Sequence, residues 1–320
     1  MCLLLSALAA SSKTRGKGAG DGGWSVGSIP EQLHTSCGIA RVNASDLSSE
    51  DFEGRFMGAN KPVVLVGATE GWLAQKHWKK KVFVRKYGDI QAKMGNSTDV
   101  VLFAGGWHFH NLPRTPIADV VEAFGTGNLQ GSARDRPFVF DSEEIFRSDR
   151  MKGDFATPAA LAGSFGGEGK TQTGSAAQMW NVLSLGDGEA GLPFHSHGDA
   201  WLALVFGSKH WFLYPPGTRA DSRQPPRGQP PHGMGGVWHW ATEVFPTLPL
   251  AERPIECTQL AGEVMFVPQG WAHATLNIGE TVGVGGQLEW GGDARAAHAR
   301  SVLQRHPHDA DAHKDLAIGE

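Results

Sequence analysis

The 320-residue sequence predicts a mainly β fold, on three observations. The chain holds 43 glycines and 11 tryptophans but only two tyrosines, which suggests a turn-rich β protein over a helical bundle. From Met179 to about Glu289, apolar runs of strand length dominate: QMWNVLSLG, PFHSHGDAWLALVFG, KHWFLYPP, GEVMFVPQGWAHATLN and TVGVGGQLEW. Upstream, β-branched and aromatic runs alternate with one stretch of helical spacing.

Taken in order, MCLLLSALAASSKTRGKG opens with an apolar run from Cys2 to Ala10. Ala7-Leu8-Ala9 fits a signal-peptidase site, although no basic region precedes it, so a leader and an apolar disordered start both remain open. Residues 11–30, rich in Gly, Ser and Lys, read as a flexible lead-in. KPVVLVGAT (61–69) reads as a buried strand ended by Gly, and DVVLFAG (99–105) and RPFVFD (136–141) as two more. Between them, PIADVVEAF (116–124) starts at a Pro and carries apolar residues at helical spacing, which predicts a helix. Residues 153–177 are a Gly/Ala/Ser-rich loop or insertion. Its GEGKT is no phosphate loop, because Ser164 stands where the first Gly belongs and no strand precedes it. Gly207-Ser208-Lys209 reads as a tight hairpin turn, and residues 215–236 as a surface excursion. After 291 a polar tail carries His306, His308 and His313, read as solvated.

Net charge is −4 with 19% charged residues, so the balance points to neither nucleic acid nor an anionic membrane as partner. The basic cluster Lys76 to Lys81 reads as a solvated helix face or loop. No stretch reaches the roughly 18 apolar residues of a membrane span. Cysteines stand at 2, 37 and 257; without a leader an even pair remains. Sequons at Asn43 and Asn96 point the same way, to the secretory pathway and the lumen of the endoplasmic reticulum, with a cytoplasmic location as the alternative.

The chemistry concentrates in FHSHGD (194–199). On a strand, His195, His197 and Asp199 would share one face. Non-haem iron sites take two histidines and a carboxylate on one face of the ion, two of them from a single strand as His-x-Asp/Glu. His273, in VPQGWAHATLN, follows a turn some distance downstream and offers the third ligand.

PFHSHGDAWLALVFGSKHWFLYPP followed by AGEVMFVPQGWAHATLN resembles the JmjC (jumonji-C) family of the cupin superfamily. KPVVLVGAT, KYGD (86–89), VLFAGG and WNVLSLG extend the resemblance from about 35 to 290. It implies a double-stranded β-helix (jelly-roll) with flanking helices and an N-terminal α/β segment. The organisation that follows is a leader and flexible segment at 1–30, the N-terminal part of the module at 31–178, its β-helix core at 179–290, and a helix or tail at 291–320.

The resemblance also implies an Fe(II)/2-oxoglutarate-dependent oxygenase of hydroxylase type, acting on a protein or peptide. Its first and last iron ligands fall on His195 and His273. The lysine that pairs with the distal carboxylate of 2-oxoglutarate falls on Lys209, and Asn277 and Ser184 would line the same pocket. The departure is His197, which stands where catalytic members carry Asp or Glu. Three outcomes stay open: a three-histidine site of His195, His197 and His273; a site recruiting Asp199 as carboxylate; and no functional metal. Three functions likewise stay open: an oxygenase, a non-catalytic binding or scaffold protein of the secretory pathway, and a cupin using another divalent metal.

Overall fold

The computed structural model describes residues 21–33, 36–96, 114–125, 136–141, 146, 149–165, 177–218 and 236–290. The strand expected at 99–105, the GEGKT stretch, most of the 215–236 excursion and the histidine-bearing tail lie outside the described residues.

Eleven strands form one mixed sheet among those residues. They are β1 (Ala40–Asn43), β2 (Val63–Val66), β3 (Gln91–Asn96), β4 (Arg114–Pro116), β5 (Pro137–Asp141), β6 (Ala177–Gly186), β7 (Gly191–His195), β8 (Ala200–Tyr214), β9 (Ile255–Leu260), β10 (Val264–Val267) and β11 (Ala272–Trp290). The main path runs β1-β2-β10-β8-β11-β6-β5-β3-β4, with β7 paired to β11 and β9 to β8. Among the described strands only β1 and β2 pair in parallel. The mainly β class read from the sequence is the class observed, and the 116–124 pattern forms a helix at Ile117–Glu122.

Period-two alternation explains how these strands build both a core and a cavity. Phe194, Phe212, Ala274 and Leu276 pack with Trp240 and Phe245 in one buried cluster. Their chain neighbours His195, Trp211, His273 and Thr275 line a cavity instead. A larger cluster sets Phe52, Trp78 and Phe83, from the helical N-terminal segments, against Trp201, Phe266 and Val284 of the sheet.

Three sequence expectations need correction. Gly207-Ser208-Lys209 makes no hairpin, since β8 runs unbroken from Ala200 to Tyr214. Gly207 instead takes a φ of 88°, and the pairing of β8 with β11 slips between Ile278 and Val282. The two strands bend together at a bulge, the other use that strands make of glycine. A Cβ at 207 would stand 2.3 Å from the Glu280 carbonyl oxygen. Gly207→Ala is therefore expected to cost about 1–3 kcal/mol, from the positive φ and the clash, and to lower the urea midpoint accordingly.

The flexible lead-in is the second correction, because its last ten residues are docked. Trp24 is buried and donates its indole N–H to the Trp78 carbonyl at 2.8 Å. Ser25 N–H donates to Glu280 at 2.8 Å, and Val26 bridges Gly279. Lys80, from the basic cluster read as solvated, reaches the same Glu280 carboxylate at 2.6 Å. The composition of 11–30 is polar, but one large apolar side chain suffices to anchor its end.

The third concerns FHSHGD. β7 ends at His195, so His197 and Asp199 sit in the connection to β8 and the shared-face argument stops at the first histidine.

Candidate metal centre

β7 and β11 are antiparallel neighbours, and their register sets His195 directly opposite His273. The connection after β7 then returns His197 to the same place. Ring centroids lie 4.2 Å apart for His195 and His273, 4.8 Å for His197 and His273, and 5.4 Å for His195 and His197. One ligand nitrogen from each ring lies within 4.8 Å of the other two.

Each ring is held in the same tautomer. His195 Nδ1 meets the Pro193 carbonyl at 2.7 Å, His197 Nδ1 the Gly198 carbonyl at 2.8 Å, and His273 Nδ1 the Trp271 carbonyl at 2.9 Å. A carbonyl only accepts, so Nδ1 carries the proton and Nε2 becomes the lone-pair nitrogen. Backbone anchoring of this kind also sets the ring angle, as it does for histidines that bind metals.

Burial keeps His195 and His273 neutral. It pushes His195 down to about 3, assisted by the nearby His197, and drives His273 well below its ordinary range with help from both other rings. Neutral imidazole is the form that ligates a cation. The three side chains therefore fit a divalent metal in residue type and convergence.

Asp199 lies outside this group. It is fully buried, and its Oδ1 accepts the backbone N–H of Gln269 at 2.9 Å. Its carbonyl oxygen accepts from Leu288 N–H at 2.8 Å. These bonds pin the β7–β8 connection to the turn before β11, which is what returns His197 to His273. One carboxylate oxygen thus shapes the loop that carries His197.

Lys209 lines the same cavity as the histidines, as does Ser184 on β6. The lysine is fully buried, donates to Asn277 Oδ1 at 2.5 Å, and lies 5.5 Å from the centre of the Phe138 ring. Asn277 Nδ2 donates to the Asp187 carbonyl at 3.1 Å, which turns Oδ1 towards the lysine. Burial pushes the ammonium down to about 7. Among the described residues its hydrogen-bond partner is the Asn277 amide rather than a carboxylate.

The residues singled out from sequence thus converge, except Asp199. Reading the sequence overlooked Thr275, Gln287 and Trp211, which also line the cavity. Thr275 stands two residues after His273, so strand periodicity alone could have found it. Trp211 lies 5.8 Å from His273, and its indole N–H donates to buried Gln259 of β9 at 2.9 Å. That link depends on pairing between distant strands and leaves no local signature.

Residues 49–282 match the Cupin-like domain family. JmjC domain-containing protein 8 of Homo sapiens is 27% identical over 285 residues, covering 88% of this chain and 95% of that protein. An arginine-specific demethylase of Arabidopsis thaliana is 27% identical over 252 residues, 77% of this chain and 45% of its own length. A 2-oxoglutarate and iron-dependent oxygenase of Mus musculus is 25% identical over 266 residues, 78% of this chain and 60% of its own length. The chain thus spans less than two thirds of the last two relatives.

Proposed function

The chain belongs to the cupin-like JmjC family, and from that premise we propose that it is an Fe(II)/2-oxoglutarate-dependent oxygenase acting on a protein or peptide as a hydroxylase. The observation that carries this reading is the triple backbone anchoring of His195, His197 and His273, which converges three lone-pair nitrogens in a cavity shared with a buried lysine. The mouse relative, by its name, uses 2-oxoglutarate and iron.

His195, His197 and His273 would hold the metal, which supplies oxygen activation coupled to oxidation of the 2-oxo acid. Lys209 would pair with the far carboxylate of 2-oxoglutarate in a water-poor cavity, where a charge-assisted hydrogen bond is strong. Asn277 would position the ammonium, and Ser184 and Thr275 offer hydroxyls along the same walls. Val182, Leu192, Met265 and Val267 make much of the rest of the lining apolar and keep water out.

A direct test is anaerobic titration of the purified protein with Fe(II) and 2-oxoglutarate. The expected result is a metal-to-ligand charge-transfer band, followed by succinate on admitting oxygen. A folded sample that shows neither would overturn the oxygenase reading. It would favour the second one, a non-catalytic JmjC-fold binding protein, which His197 in place of a carboxylate supports.

The proposed compartment is the secretory pathway. The Cys37–Cys257 disulfide supports it, as does exposed Asn43 within an N-glycosylation sequon. No described helix is long and apolar enough to cross a membrane.

A further inference from the structure

Cys257 of β9 is fully buried and belongs to an apolar cluster with Trp211, Met265, Val267 and Trp271. Trp211, Met265 and Val267 also line the histidine cavity, and the Trp271 carbonyl holds His273 Nδ1 at 2.9 Å. Cys37, the other half of the disulfide, is half-buried and stands between exposed Ser36 and Gly38. The two sulfurs therefore differ in access. They also differ in charge. One Arg41 guanidinium nitrogen pairs with Glu263, while the other lies 3.9 Å from Cys257 Sγ and donates to the Thr258 carbonyl at 2.5 Å. A cation beside a sulfur favours its thiolate, and a stabilised thiolate both leaves readily and favours the reduced state.

We propose that Cys37–Cys257 is an exchange site for an external dithiol, and that its redox state gates the histidine cavity. A thiolate of the dithiol bonds to Cys37 Sγ; the Cys37–Cys257 bond breaks, and its electron pair leaves on Cys257, beside Arg41. The second thiol of the reagent, once deprotonated, displaces Cys37. The protein disulfide gains two electrons, the dithiol becomes a disulfide, and its two protons end on the two cysteines. Without the bridge, β9 keeps its pairing with β8 and the bond from Gly38 N–H to the Glu256 carbonyl at 2.8 Å. It loosens while the fold persists, and the loosening passes through Trp211 and Trp271 to His273. The exchange is independent of the oxygenase reading, whereas its effect on the metal rests on that reading.

The test equilibrates the folded, full-length chain in dithiothreitol redox buffers, quenches it in acid and maps free thiols by peptide. Reduction of the folded chain is expected; a disulfide that yields only on unfolding would overturn the proposal. Arg41→Met should shift the equilibrium about tenfold towards the disulfide, and Glu263→Gln, which leaves Arg41 to the sulfur, should shift it towards the thiols. Circular dichroism confirms that each variant is folded. If Arg41 merely braced β9, its loss would ease reduction, and a shift of that sign overturns its role. With glutathione in place of the dithiol, the trapped adduct should sit on Cys37; an adduct on Cys257 overturns the order of attack. On reduction, amide hydrogen exchange across Ile255–Leu260 should quicken, and Mn(II) should bind about fivefold more weakly or worse. Unchanged exchange and unchanged Mn(II) affinity in the reduced, folded chain would overturn the gating. A chain that binds no Mn(II) in either redox state would overturn the metal centre and the gating with it, while the thiol measurements still decide the exchange.

Discussion

Lys209→Met is expected to stabilise the ligand-free protein by about 1–3 kcal/mol near neutral pH, while removing its stabilisation by metal and 2-oxoglutarate together. The lysine is buried against Phe138 and donates to Asn277, and burial holds its folded pKa near 7 against an ordinary 10.5. Charging it in place is therefore costly, by several kcal/mol on the scale of 1.36 kcal/mol per pKa unit. Methionine fills a similar volume without charge, but it leaves Asn277 Oδ1 without the ammonium donor, which offsets about 1–2 kcal/mol.

The pH dependence gives the same experiment a second readout. Between about 7 and 10.5 the unfolded chain holds a proton on Lys209 that the folded chain has released. The contribution of this group to stability is thus complete above the unfolded value and is lost as pH falls towards 7. Urea unfolding from pH 6.5 to 10 should show wild-type stability rising relative to the variant across that window. Parallel curves would show that Lys209 carries no such shift.

Replacing Cys37 and Cys257 together by serine is expected to cost about 3–5 kcal/mol. The disulfide closes a sequence separation of 220 residues, so its loss greatly enlarges the freedom of the unfolded chain. It also has a local task. Among the described residues β9 pairs with β8 alone, and Cys257 lies directly opposite Trp211 in that pairing. Next on the same strand face, Gln259 accepts the Trp211 indole N–H and donates to the Leu202 and Glu263 carbonyls. The bridge thereby secures the strand that braces a wall of the metal cavity. Guanidinium unfolding with and without a dithiol reductant should separate the wild-type midpoints by a similar amount and leave the serine double variant unmoved. Protein taken from cells should resist maleimide at Cys37 and Cys257 until reduced; ready labelling of both would argue against the oxidising compartment.

Much of the cavity was legible because a strand writes its two faces into alternate residues. Phe194 beside His195 and Ala274 beside His273 show the alternation of core and cavity directly. Lys209 and Asn277 were readable only through family resemblance, since their local surroundings suggest a turn and a strand edge. In the structure they stand opposite each other across β8 and β11 and share a hydrogen bond. Gly207 was misread for a physical reason: a bulge and a hairpin both call for a positive φ between apolar runs. Only the partner strand distinguishes them. Trp24 was passed over because a lone tryptophan in polar company has no period to reveal it.

By itself the sequence determined the mainly β class, the jumonji-C resemblance, the three histidines and the absence of a carboxylate at the second ligand position. These follow from residue type and short-range spacing, which the chain carries wherever it folds. Tertiary structure decided the fate of Asp199. Two residues beyond His197, it has the chemistry of the missing ligand, and on an unbroken strand it would share that face. The strand ends at His195, however, and the Gln269 N–H claims the carboxylate from 70 residues away. A hydrogen bond between distant turns thus fixes where this carboxylate sits, and no local pattern encodes it.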